Sequence, residues 1–165
     1  MSPVLMMVCG LAGTAALVAV SAVPLARWMQ RREALGAAAA FRRQREKLEA
    51  QFFELASQTG KPRGLRWVRG DWQPGFTLAR EVQSGLLTAF VSIELHFEAI
   101  EGGDMEDVAA VSTVRDACAL FHYQYGQWGT GGKALFNMNA GDAVAKLPRQ
   151  FVAVEGAESQ TAYPG

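Results

Sequence analysis

The sequence predicts an α+β protein: an N-terminal transmembrane helix, a long juxtamembrane helix, then a small antiparallel sheet of about five strands with one or two short helices. Three observations carry this. Val4–Ala26 is an apolar run without a charged residue. From Trp28 to about Ser57 the chain is rich in Ala, Arg, Glu, Leu and Gln and has no Pro, a helical composition. From Leu86 to Glu98 apolar residues recur at every second position, the period of a half-buried strand. The expected organisation is an anchor at 1–27, a juxtamembrane helix at 28–60, an antiparallel α+β domain at 61–154 and a disordered tail at 155–165.

At about 1.5 Å rise per residue the apolar run extends about 34 Å, enough for a hydrocarbon core of about 30 Å. A cleaved signal peptide is the rival reading, with Ser21, Ala22 and Ala26 as small residues for a peptidase. Only Met1, Ser2 and Pro3 precede the run, so there is no basic n-region, and the run exceeds the usual apolar length of about 7–15 residues. An uncleaved, single-pass anchor is therefore expected. Arg27, Arg31 and Arg32 follow it at once, and basic residues resist translocation, which predicts an outside N-terminus and a cytoplasmic C-terminal domain. Trp28 falls where an interfacial aromatic belt would lie. Gly10, Gly13, Thr14 and Ser21 would let a second helix approach, although small residues are common in membrane helices anyway.

The formal net charge is zero but unevenly placed. Arg27 to Glu49 holds seven basic and three acidic residues, and Asp71 to the end holds twelve acidic and five basic. The basic part suits an anionic bilayer surface, and the acidic body excludes nucleic acid as a partner, since phosphate contacts need a basic face. The two cysteines, Cys9 in the anchor and Cys118 in the domain, form no disulfide framework and no zinc spacing.

In the juxtamembrane helix Phe41, Leu48 and Leu55 recur every seven residues and Phe52 follows Leu48 by four, making one apolar stripe. A coiled coil needs a second apolar position, and Gln44 and Gln51 occupy it. The stripe is thus expected to pack its Phe52 end on the following domain, with Ala37–Ala40 as a stalk; a homo-oligomer through this helix or the membrane helix is the competing use. Thr59-Gly60-Lys61-Pro62 ends the helix.

Leu65–Trp72 predicts a strand, Pro74-Gly75 a turn, and Phe76–Val82 the returning strand. Ser84-Gly85 leads into Leu86–Glu98, whose Leu87, Ala89, Val91, Ile93, Leu95 and Phe97 share one face while Thr88, Phe90, Ser92, Glu94, His96 and Glu98 share the other. Asp104 would cap a short helix after the Glu101–Asp104 loop. Asp116–Tyr125 alternates again, Tyr125-Gly126 marks a hairpin turn, and Gln127–Phe136 returns, with Gly129, Gly131 and Gly132 marking a bulge. Asn139 caps a final helix to about Leu147, closed by Pro148. A helix followed by an antiparallel meander resembles the cystatin-like and nuclear-transport-factor-like folds, a similarity of architecture that implies a helix laid across one sheet face.

Chemistry-bearing residues are few. Glu94, His96 and Glu98 share a strand face, and His122 lies on a second strand predicted in the same sheet. Together they would make a metal site for zinc, manganese or iron; the plainer reading is a solvated polar face. Lys133 after the glycines does not make a phosphate loop, because the required first Gly is Gln127 and Ala134 replaces the Ser or Thr. No serine lies in a nucleophile elbow, and Cys118 stands about 13 Å along its strand from His122, out of reach of a base. Trp67, Trp72 and Trp128 are either core or a partner-binding surface. The expected function is non-enzymatic: a membrane-anchored cytoplasmic domain that binds a protein or peptide partner, with no cofactor. The alternative is a small-molecule-binding or metal-dependent enzyme domain in the helix–sheet concavity.

Overall fold

A long helix leads the chain and an antiparallel sheet with one short helix follows, in a computed structural model that describes residues 3–59, 64–102 and 114–154, with side chains from residue 24 onward. The order is α1 (Pro3–Gln58), β1 (Leu65–Trp72), β2 (Thr77–Glu81), β3 (Leu87–Ala99), β4 (Arg115–Gln124), β5 (Gln127–Gly129), β6 (Ala134–Phe136), α2 (Ala140–Lys146) and β7 (Phe151–Ala153). The chain falls into two compact units, Met1–Gly36 and Ala37–Gly165. In the first, the Arg32 guanidinium lies 4.4 Å from the centroid of the exposed Trp28 ring. Most of the predicted anchor lies outside the residues with described side chains. Among the described residues, no helix is long and apolar enough to cross a membrane. The predicted helix from Asp104 and the tail at 155–165 also lie outside the described residues.

The second unit is a seven-stranded antiparallel sheet whose path runs β5-β4-β3-β2-β7, with β1 on β3 and β6 on β4. β3 is its axis, with thirteen residues. Leu87–Leu95 pair with Tyr123–Arg115 on one side, and β1 and β2 pair along the other. The sequence expectation of a reversal at Pro74-Gly75 is corrected here. β1 and β2 run in the same direction along β3, from Leu65 opposite Ala99 to Arg80 opposite Leu87, and the reversal comes at residues 82–86. Residues 73–76 are an interruption in one long edge, where Pro74, with no N–H to donate, costs the ladder nothing. A second irregularity at Val68 shifts the register, so that Trp67 pairs Phe97 but Arg69 already pairs His96. β5 and β6 repeat the pattern along β4, interrupted at residues 130–133, where Gly131 and Gly132 of the expected bulge lie, while Gly129 stays paired in β5 opposite His122. Thr130 mends that gap: its hydroxyl donates to the Leu120 carbonyl at 3.0 Å and accepts from Gly132 N at 3.1 Å.

One sheet face is covered by α1. Ala37, Ala38, Phe41, Leu48, Phe52 and Ala56 are buried there, so the stripe is real in its Phe41, Leu48 and Phe52 members. Two details differ from expectation. Leu55 is 40% exposed, and Ala56 is buried instead. A seven-residue repeat drifts about 20° per heptad on a straight helix, so by its third member the position has rotated off the contact line. Ala37–Ala40 is no stalk: Ala37 and Ala38 are buried, and their small side chains let the Trp128 indole N–H donate to the Ala37 carbonyl at 2.8 Å. Gln44 and Gln51 are exposed. Beneath the helix lies an aromatic layer. Phe121 is 5.3 Å from Phe41, 5.8 Å from Phe52 and 6.2 Å from Trp72, ring centroid to centroid. Burying each such side chain contributes about 1.5–3 kcal/mol.

The opposite face is half covered. Phe90, Cys118, Leu120, Phe151 and Ala79 cluster with Ala140, Ala143 and Val144 of α2. The N-cap is as read from sequence, the Asn139 side chain accepting from Asp142 N at 2.7 Å. Ser92 Oγ accepts from Ala140 N at 2.9 Å and ties α2 to β3. The first half of β3 is thus buried on both faces, Thr88 and Phe90 included, rather than solvated on one.

Gly132 shows how closely helix and sheet approach. Its φ is +69°, and a Cβ there would lie 2.8 Å from Ala56 N and 2.9 Å from Leu55 Cβ. Gly132→Ala is expected to destabilise by about 2 kcal/mol or more, combining left-handed strain with a clash against helix backbone. Gly129→Ala, with open space at the Cβ position, is the control. Urea melts of the two variants giving the same midpoint would refute the close approach.

Candidate functional site

Strand β1 supplies the candidate site, and the shift at Val68 shapes it. Before the shift Trp67 turns toward α1; after it Gly70 and Trp72 do, while Arg69 and Asp71 turn to the other face, opposite His96 and Glu94. Gly70 has no room for a side chain, since a Cβ would meet Ile93 Cδ1 at 2.6 Å and Phe53 Cδ2 at 3.5 Å. Among the described residues β1 pairs only with β3, so its other edge carries no strand. Along that edge runs an open groove of about 480 Å³, walled by Glu46, Glu49, Ala50, Phe53 and Glu54 of α1 and by Val68, Arg69, Gly70 and Trp72 of β1. Val68 is 47% exposed at its rim.

Arg45 anchors one end of this wall. Its guanidinium donates to the carbonyls of Gln73 and Pro74, the two left without ladder partners by the interruption, and its Nε donates to Glu49 Oε1 at 2.6 Å. One planar fork thus satisfies two strand carbonyls and one helix carboxylate, a geometry that lysine cannot copy. Arg45→Lys is expected to lose about 1–3 kcal/mol, because the partly buried Gln73 carbonyl and Glu49 carboxylate are left unmet; a thermal melt that matches the parent would refute this.

The polar strand face is where the sequence placed it, yet its members do not converge. His96 Nε2 lies 2.8 Å from Asp71 Oδ2 and 3.3 Å from Arg69 Nη2. Gln73 donates to Glu94 at 3.1 Å, and Arg66 pairs with Glu98 at 2.7 Å. His122 sits opposite Thr88, eight strand positions from His96, which is about 26 Å along the strand. Its Nδ1 lies 3.2 Å from Thr88 Oγ1. The four candidate ligands Glu94, His96, Glu98 and His122 are therefore not brought together, and among the described residues no group of three or more His, Cys, Asp or Glu is placed to hold a metal ion. Neither Thr88 nor Cys118 stands ready as a nucleophile. Thr88 is wholly buried beside its imidazole, and burial pushes the Cys118 thiol up to about 12, so it stays protonated and inert.

The three tryptophans take their places under α1. Trp128 and Trp67 are buried, and Trp72 is half-buried against Phe52 and Phe121. Only Trp72 also lines the groove. Sequence reasoning missed Glu46, Glu49, Phe53 and Val68. The one available signal was the switch in polarity phase at Trp67-Val68-Arg69, which marks the shifted register. Comparison with known proteins finds no matching family model, no matching curated protein and no matching solved structure.

Burial holds the His122 imidazole below its ordinary 6.5; Glu81 opposes the shift and Lys133 adds to it. The unfolded chain then binds that proton more readily than the folded one. Stability from this group is complete above the ordinary value and falls as pH drops through it toward the folded value. Urea melts between about pH 7.5 and about pH 5 should show this loss, and His122→Gln should reduce it. An unchanged pH slope in the variant would refute the assignment.

Proposed function

We propose that this chain is a membrane-tethered, non-enzymatic binding module whose α+β unit captures a protein or peptide partner. The observation that carries the reading is the edge of β1 that carries no strand among the described residues, beside the open groove. An exposed strand edge offers main-chain donors and acceptors to an incoming strand, and an adjoining groove offers side-chain pockets. Ala50 and Phe53 beside that edge give the groove an apolar lining that supports recognition of a side chain. The tether is inferred from Val4–Ala26 and the arginines that follow, which favour a single-pass anchor with the α+β unit in the cytoplasm and the bilayer as a second partner. A helix laid over one face of an antiparallel meander supports a cystatin-like or nuclear-transport-factor-like architecture.

A photo-crosslinking residue at Val68 of the full chain, in its native membranes, tests the reading. Adducts should form from Val68 and not from Val152, an exposed position on β7 away from the groove. Equal yields from both positions, or none from Val68, would sink it. A cytoplasm-dependent reporter fused after Gly165 should be active; activity of an export-dependent reporter would reverse the orientation.

A further inference from the structure

We infer that the occupant of the groove is a basic segment of a partner protein, held in extended form as an added strand on β1; this deepens the partner-binding reading and rests on it. The charge of the walls points there. Glu49 is tied to Arg45 at 2.6 Å, and Arg69 is tied to Asp71 at 2.9 Å. That leaves Glu46 and Glu54, both exposed and on the helix wall, with no cation bonded to either among the described residues. Between them Ala50 and Phe53 present an apolar floor.

The spacing then defines the peptide. Glu46 and Glu54 are eight residues apart on α1, which is about 12 Å along its axis. On an extended strand, residues i and i+4 share a face and stand about 13 Å apart. A strand added to β1 therefore sets two basic side chains, four residues apart, against the two carboxylates. The residue midway between them falls on Ala50 and Phe53. The pattern recognised is basic–x–apolar–x–basic. The intervening side chains point to the other face, where Arg69 and Asp71 lie. The shift at Val68 leaves Arg69–Trp72 as the regular stretch, so the ladder is short and side-chain chemistry must supply much of the affinity. A second copy of this chain is the wrong occupant, because edge-to-edge pairing would bring the same carboxylates together.

The test uses the purified full chain in detergent and a labelled synthetic peptide, read by fluorescence anisotropy. The peptide has Arg at its third and seventh positions and Leu at its fifth. Replacing both Arg by Gln should weaken binding by about tenfold or more. The Glu46→Lys/Glu54→Lys variant should lose the Arg peptide and gain one carrying Glu in those places. Both positions are exposed, and unchanged melting would show the fold intact. Equal binding of the Gln peptide would overturn the basic assignment and leave the strand-addition reading standing. Equal binding of a scrambled peptide of the same composition would overturn the spacing. No binding by any peptide, alongside adducts from the Val68 crosslinker, would overturn the occupant alone; no binding and no adducts would overturn both.

Discussion

Contact between one helix stripe and a layer of aromatic rings underlies the folded unit. Phe41, Leu48 and Phe52 face Phe121, Trp72 and Trp128, and neither side has another way to leave water. The helix end carries Glu46, Ala50, Phe53 and Glu54 into position as a by-product of that packing, since they are the flank of the same stripe. The wall of the groove is thus fixed by the core beneath it, not by a separate loop.

The sheet is interrupted at Val68, at residues 73–76 and at residues 130–133, on both sides of β3. Such interruptions bend and twist a strand, which lets a short sheet curve against a helix. At two of the three, residues 73–76 and 130–133, side chains take up backbone groups that the ladder leaves. Arg45 meets the carbonyls at 73 and 74, and Thr130 meets the Leu120 carbonyl. The residues that look polar and misplaced in an apolar region are therefore those that make the curvature tolerable.

Much of this was legible in the sequence where the signal is local and periodic. The alternation in β3, the Asn139 cap, the glycine-marked break between β5 and β6 and the Tyr125-Gly126 turn, with φ of 53° and 79°, all follow from short-range rules. Pro74-Gly75 misled because a turn-like dipeptide says nothing about whether the chain reverses; the length of β3 decides that by offering room for two strand segments in succession. β7 is three residues long and carries no period. The candidate site was illegible for a different reason. Its two walls are some twenty residues apart in sequence, and neither carries a motif alone. The polar ladder of Glu94, His96 and Glu98 did carry a pattern, and its side chains pair with their strand neighbours instead of converging.

The bond from Trp128 to the Ala37 carbonyl joins residues 91 positions apart. A ribosome adding about 5–20 residues per second needs roughly 5–18 s to cover that distance. Within that interval the helix stripe is complete by Phe52 and part of its cover, Trp72 and Phe76, follows soon after, but Phe121 and Trp128 come last. The nascent chain therefore passes through a stage in which the stripe of Phe41, Leu48 and Phe52 lacks the rings of Phe121 and Trp128 that complete its cover.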